Sequence, residues 1–146
     1  MLKGGVVTEL EDEMKTLIVS AGLIMEQGRF LVTQRKEGSS HALLWEFPGG
    51  KVKEGEEPRE ALRRELKEEL DIEVEVGAIF EVVYQHYPEY PILLLAYHCR
   101  IEKGMPKPIG CHDLRWPNLS ELERLAMPPA DEHILNRLFS SKEEST

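Results

Sequence analysis

Cysteine is scarce: the 146-residue chain has two, Cys99 and Cys111, which rules out a fold held by a disulfide framework. Long apolar runs are also missing. The most apolar stretches, Leu17–Met25 and Pro91–Tyr97, fall well short of the ~20 residues that cross a bilayer as a helix. Residues Met1 to Lys15 mix Lys3 with Glu9, Glu11, Asp12 and Glu13 and contain no signal-peptide core. Positive charge is in deficit, with 18 Lys and Arg against 27 Asp and Glu and a net charge of −9. A basic face for gripping a nucleic-acid polymer is therefore not expected. A small phosphorylated ligand stays possible, because a bound divalent cation reverses the local sign. Repeats, low-complexity tracts and linker-like stretches are absent too. These absences point to one cytoplasmic domain spanning 1–146 that binds neither membranes nor nucleic-acid polymers. Its oligomeric state is left as monomer or homodimer.

Hydrophobic residues make up 41% of the chain and charged residues 31%, enough apolar surface for a core. Residues 1–14 read as irregular. Thr16–Met25 reads as a strand, Glu26-Gln27-Gly28 as a turn, and Arg29–Gln34 as the returning strand of a hairpin. Lys36–His41 is a loop, and Leu43–Phe47 a short strand ended by the breaker Pro48-Gly49-Gly50. From Glu57 to Leu70 the period changes, with Leu62, Leu66 and Leu70 four residues apart and Pro58 suited to a first helical turn. Ile72–Gln85 and Pro91–Ile101 read as two longer strands, and Asp113–Trp116 as a further short one. Leu119–Leu125 is a short helix with Asn118 as its cap. Ala130–Phe139 is a terminal helix followed by a polar end, 140–146, that should fray. The fold class is α/β (α+β): a mixed sheet with helices packed on it.

The helix over 57–70 breaks local rules. Leu62, Leu66 and Leu70 cover about 80° of its circumference, and Glu65, Glu68 and Glu69 fill an adjacent arc of about 100°. Glu65 and Glu69 are like charges one turn apart, which costs roughly 0.2–0.5 kcal/mol. Glu68 and Glu69 also stand near the helix C-terminus, where the dipole favours cations. A hard divalent cation, Mg²⁺ or Mn²⁺, would relieve both penalties, since it takes carboxylate, carbonyl and water oxygens. The Gly49-Gly50 turn before the helix can bring a backbone carbonyl close. The plain alternative is a solvated acidic face.

The run Gly50-(x5)-Glu56-(x7)-Arg64-Glu65-Leu66-Lys67-Glu68-Glu69-Leu70-Asp71-Ile72 resembles the Nudix box, G-x5-E-x7-R-E-U-x-E-E-x-G-U, where U is apolar. The one mismatch is Asp71, which stands where the family has its last glycine. The similarity extends outward. Trp45-Glu46-Phe47-Pro48-Gly49-Gly50-Lys51-Val52 is similar to the entry of the box in MutT-type members, Arg35 matches an arginine near phosphate, and Pro128-Pro129-Ala130-Asp131 is similar to a segment that contacts the base.

The resemblance implies an α/β/α sandwich and a metal-dependent hydrolase of nucleoside diphosphates linked to another group, most simply a (d)NTP yielding monophosphate and pyrophosphate. It also implies that Gly49, Glu65, Glu68 and Glu69 hold Mg²⁺ or Mn²⁺, that Glu65 takes a proton, and that Arg64 and Glu56 orient the ligands. Arg35 and Asp131 would bind the small-molecule nucleotide, with Asp131 accepting amino or imino hydrogens of a base. The plain readings are a surface cation at a strand end for Arg35 and a helix-dipole partner for Asp131.

A second departure concerns a glutamate that many MutT-type relatives carry shortly before the tryptophan matching Trp116. Here the segment reads Ile109-Gly110-Cys111-His112-Asp113. Either the box acids suffice, or His112 or Asp113 substitutes, or the protein is slower than its relatives. Other Nudix substrates (ADP-ribose, nucleotide sugars, dinucleoside polyphosphates) and a silent nucleotide-binding module are the competing readings. Tyr84, Tyr87 and Tyr90 read as packing residues, and the two His–Cys pairs as unrelated to zinc.

Overall fold

The computed structural model describes residues 15–145. Strand β1 (Leu17–Glu26) turns through Gln27 and Gly28 into β2 (Arg29–Phe30). Both turn residues have positive φ, 52° and 76°, as a two-residue type I′ hairpin requires. The return strand expected over Arg29–Gln34 is split. After Leu31 the chain leaves as β3 (Val32–Gln34) and joins a second, three-stranded sheet between β4 (Trp45–Glu46) and β8 (Asp113–Arg115). Leu31 and Val32 are both fully buried, each in a different core cluster. Successive strand residues point to opposite faces, so this pair ties the two cores together.

The larger sheet has the order β2-β1-β7-β6, where β6 (Glu73–His86) and β7 (Pro91–Lys103) form a long antiparallel hairpin. Strand β1 runs parallel to β7 from Leu17↔Ile92 to Ile24↔Cys99, which makes the sheet mixed. Pro48-Gly49-Gly50 is not only a breaker. Gly49–Lys51 forms β5, antiparallel to β1 with Ser20 opposite Gly50. A Cβ on Gly49 would collide with the Ser20 carbonyl oxygen, so a residue type that reads as a breaker is the one that permits this pairing.

Helix α1 (Pro58–Leu70) starts at Glu57, whose carboxylate accepts the Arg59 and Glu60 N–H groups, with Pro58 in the first turn. It buries Ala61, Leu62, Leu66 and Leu70 on one face of the large sheet, and the three leucines pack with Ile24, Ile72, Val74, Val76 and Tyr97. Helix α2 (Leu119–Leu122) carries the capping box of Asn118 and Glu121. Helix α3 (Pro129–Ser145) sets Ala130, Ile134 and Leu135 in the other core, with Ala21, Val83, Leu94 and Ala96. The sheet thus lies between helices, the layered α+β arrangement expected. The polar end is a correction: α3 continues through Ser145, because Lys142, Glu143 and Glu144 are good helix formers and extend a helix already anchored by its packed face. The reading of residues 1–14 as irregular falls outside the described residues. Among the described residues no helix is long and apolar enough to cross a membrane.

Asp71 ends α1 in the left-handed conformation, φ 57° and ψ 41°, with its N–H directed at the Leu66 and Lys67 carbonyls. We expect Asp71→Gly to stabilise the protein by ~0.5–1 kcal/mol, or about 2–4 °C in Tm, by removing the Cβ penalty. Leu66→Ala should cost ~2–5 kcal/mol, since Leu66 is fully buried. Denaturant melts of the two variants check both signs.

Candidate active site

Arg64 organises the acidic face of α1. Its Nε and Nη2 donate to the two Glu56 carboxylate oxygens at 2.7 and 2.9 Å, a bidentate pair. Nη1 donates to Glu65 Oε1 at 2.9 Å and Glu68 Oε2 at 3.2 Å, and Nη2 also reaches the Lys51 carbonyl at 3.0 Å. One guanidinium therefore joins the helix to β5 and to the loop before the helix. Glu56 in turn accepts the Lys53 N–H at 3.0 Å. The Arg64 hydrogen bonds, with help from the Lys53 N–H, hold its carboxyl down at about 2.

Glu65 lies directly against Gly50, where any Cβ would collide with its carboxylate. This is the close approach that the Gly-Gly turn provides. Glu69, one turn on, is half-buried. Burial, followed by the Glu65 and Glu46 charges, pushes its carboxyl up from 4.5 to about 8. Glu68 is exposed and paired with Arg64. As the side chains stand, no three acidic, histidine or cysteine side chains among the described residues converge as a ready-made metal cage. The donor chemistry nonetheless fits a hard divalent cation. Glu65 and Glu69 repel each other, both offer oxygen ligands, and Gly49 and Gly50 pass alongside. Glu68 can join them on release from Arg64.

The segment that lacks the downstream glutamate crosses the end of α1. The Ile109 and Gly110 N–H groups donate to the Glu69 carbonyl at 3.1 and 2.9 Å, and a Cβ on Gly110 would meet Glu69 Cγ at 2.9 Å. A glycine backbone thus occupies the space over Glu69. Asp113 uses Oδ1 on the Leu114 N–H at 2.8 Å, and His112 is exposed. Cys111 is half-buried, and burial pushes its thiol up to about 11.

Beside this acidic face opens a cleft of about 140 Å³, whose lining includes Gly49, Gly50, Lys51, Arg35, Glu46 and Asp131. The structure brings both sequence-derived ligand-binding candidates, Arg35 and Asp131, to this cleft. Arg35 is held by Ser40, whose carbonyl accepts from Nε at 2.6 Å, and by Glu46 Oε1 at 3.0 Å from Nη1. Asp131 is 7% exposed and accepts the Phe47 N–H at 3.0 Å. Burial raises the Asp131 carboxyl well above its usual range, and the neighbouring Glu46 charge adds to this. Glu46 is raised by burial as well, with Arg35 opposing. Sequence reasoning missed Glu46 as a site residue. Its signal was an acid set between two aromatic residues, Trp45 and Phe47, that both had to be buried.

An arginine thus fastens three carboxylates, on a helix and the loop before it, to a strand beside a cleft. The model of the NUDIX domain matches residues 20–137, and the chain belongs to the Nudix family as a MutT-like hydrolase. It is 34% identical over 131 residues to the 8-oxo-dGTP diphosphatase of Haemophilus influenzae, covering 88% of this chain and 95% of that protein. Identity to the CTP pyrophosphohydrolase of Escherichia coli is 37% over 130 residues, covering 87% and 94%. The crystal structure of the MutT protein from Methanosarcina mazei superposes with a TM-score of 0.79 at 25% identity, covering 89% of this chain and 97% of that one.

Glu69 links stability to pH. Its carboxyl titrates at 4.5 when unperturbed and at about 8 in the metal-free fold, so folding takes up a proton between those values. This contribution to stability is fully present below pH 4.5 and is lost as pH rises to about 8. Without metal, Glu69→Gln is therefore expected to melt about 2–4 °C above the parent protein near pH 8, and the two should converge toward pH 5. A pH series of thermal melts in chelator reads this directly.

Proposed function

We propose that this chain is a divalent-metal-dependent (d)NTP pyrophosphohydrolase that releases a nucleoside monophosphate and pyrophosphate. The observation that carries the reading is the Glu65–Glu69 pair, two carboxyl groups in hydrogen-bond contact whose charges oppose each other, with Glu65 against Gly50 at the edge of a cleft. Its relatives' names, 8-oxo-dGTP diphosphatase and CTP pyrophosphohydrolase, support a triphosphate over a dinucleotide or sugar nucleotide. The metal is Mg²⁺ or Mn²⁺, with Glu65, Glu68, Glu69 and the Gly49 carbonyl as its protein ligands. When bound, it screens the phosphate oxygens and lowers the pKa of the attacking water.

The chain's own residues do the rest. Glu65, fixed between Arg64 and Gly50, accepts the proton of the attacking water at its carboxylate. Glu56 locks the Arg64 guanidinium, so that Glu65 is oriented before substrate arrives. Arg35 carries positive charge for phosphate and exchanges a Glu46 oxygen for a phosphate oxygen as the nucleotide enters. One Asp131 oxygen is used by Phe47, and the other accepts from an N–H edge, which cytosine, guanine and oxidised guanine all present. We place the reaction in the cytoplasm, which suits two free thiols, Cys99 and Cys111.

The test is turnover with Mg²⁺ on 8-oxo-dGTP, dGTP, CTP, dCTP, ADP-ribose and a diadenosine polyphosphate. We expect pyrophosphate from at least one triphosphate, and a loss of ~10²-fold or more in kcat for Glu69→Gln. Turnover confined to ADP-ribose or the dinucleotide would overturn the substrate class. Tight binding without turnover of any compound would overturn the catalytic reading.

A further inference from the structure

Helix α3 begins at Pro129, and Pro128 before it has no side-chain oxygen with which to cap the first turn. The cap comes from 43 residues away. In a buried contact, the Ala130 N–H donates to Tyr87 Oη at 3.1 Å. Tyr87 is 7% exposed and stands in the connection between β6 and β7. Its ring lies tilted against that of His41, with centroids 4.9 Å apart. His41 follows Ser40, whose carbonyl and hydroxyl oxygens accept from Arg35 at 2.6 and 3.2 Å. On the other side of Ala130 is Asp131, with Oδ1 on the Phe47 N–H at 3.0 Å. Arg35, His41, Tyr87, Ala130 and Asp131 all line the one cleft.

We propose that Tyr87 is a positioning residue for base selection: its hydroxyl caps α3 at Ala130 and thereby fixes the direction in which Asp131 presents its second carboxylate oxygen to the nucleobase. This rests on the reading of Asp131 as the base acceptor and adds the residue that aims it. The Phe47 N–H holds Asp131 Oδ1, and the carboxylate also accepts from its own backbone N–H, so its aim follows the backbone of this first turn. The backbone of the first helical turn sets the Cα–Cβ direction, and that turn is the part of a helix that frays without a cap. Hydrogen bonds weaken steeply as they bend, so a modest change of aim costs base recognition. Attack on phosphorus takes place beside Glu65 and Glu69, which the Tyr87–Ala130 contact does not involve. Loss of the Tyr87 hydroxyl should therefore appear in KM and in base preference rather than in kcat.

The experiment measures kcat and KM with Mg²⁺ and CTP, dGTP and 8-oxo-dGTP for the parent protein, Tyr87→Phe, Asp131→Asn and the double variant. Tyr84→Phe, at a site 60% exposed on β6, is the control. For Tyr87→Phe we expect KM for the preferred triphosphate to rise ~3–10-fold, the equivalent of one hydrogen bond, with kcat within about twofold. The spread of kcat/KM among the three bases should narrow, and calorimetric affinity for the monophosphate product should fall by a similar factor. The double variant should be no worse than Asp131→Asn alone. Pro128→Ser in the Tyr87→Phe background puts a capping hydroxyl beside the same N–H and should recover part of the affinity.

Unchanged KM and base preference in Tyr87→Phe, while Asp131→Asn alters both, would overturn this proposal and leave the reading of Asp131 standing. Equal falls in kcat for all three nucleotides at constant KM would also overturn it, because a loss of folded protein acts that way. Unchanged preference in both single variants would remove the reading of Asp131 and the proposal together, with the Glu69→Gln result still reporting separately on the hydrolase.

Discussion

The site depends on one guanidinium. Arg64 holds Glu56 with two hydrogen bonds, Glu65 and Glu68 with one each, and the Lys51 carbonyl with another. Three carboxylates and a strand are thereby tied to a single residue on α1. Hydrogen bonds between ionised partners are about twice as strong as neutral ones, and this cluster is only partly exposed to water. Its position matters as much as its strength. The helix start is fixed independently by Glu57 and by the Ser20 hydroxyl, which donates to the Pro58 carbonyl at 2.9 Å. Arg64 then fixes the middle of the helix against β5. Glu65, the next residue, is thereby pressed onto Gly50 with little freedom left.

What Arg64 does not neutralise is Glu69. That side chain turns toward Glu65, Glu46 and the crossing backbone of Gly110, and its charge is disfavoured there. The fold tolerates this because α1 is secured by its apolar face, where Leu62, Leu66 and Leu70 are fully buried. Glu46 connects this group to Asp131: both are raised by burial, and Arg35 opposes the shift at each. In the protein alone, ionising these carboxyls is therefore disfavoured. On the proposed function, a divalent cation would favour the ionised Glu69, and a ligand with N–H donors would favour the ionised Asp131. Stability withheld from the free protein becomes available on binding.

Much of this was legible in the sequence, for identifiable reasons. Helix α1 was readable because leucine period, proline position and glutamate placement all agree within one segment. The placement of Glu65, Glu68 and Glu69 against pairing and dipole rules is itself visible in the sequence, where it leaves two readings, a cation site or a solvated acidic face. Elements set by tertiary contacts were harder to see. The split after Leu31 arises because two adjacent residues feed two cores, which a simple alternation count reads as one strand. Strand β5 was hidden because glycine signals a break, whereas here it permits the close pairing with Ser20. Glu46 and Tyr87 escaped as site residues because nothing local marks them. Their roles come from partners at Arg35 and Ala130, brought near only by the fold. The absent downstream glutamate was visible in the sequence, but that the Gly110 backbone stands over Glu69 was not.

On the proposed function, Glu65 and Glu69 together form the metal-binding pair of the acidic face. The most direct test is a Mn²⁺ titration of the metal-free protein followed by electron paramagnetic resonance, in the parent chain and in the Glu65→Gln, Glu69→Gln double variant. Stoichiometric loss of the free-ion signal is expected in the parent, with at least about a tenfold weaker affinity in the double variant. Equal affinity in the two proteins would contradict it.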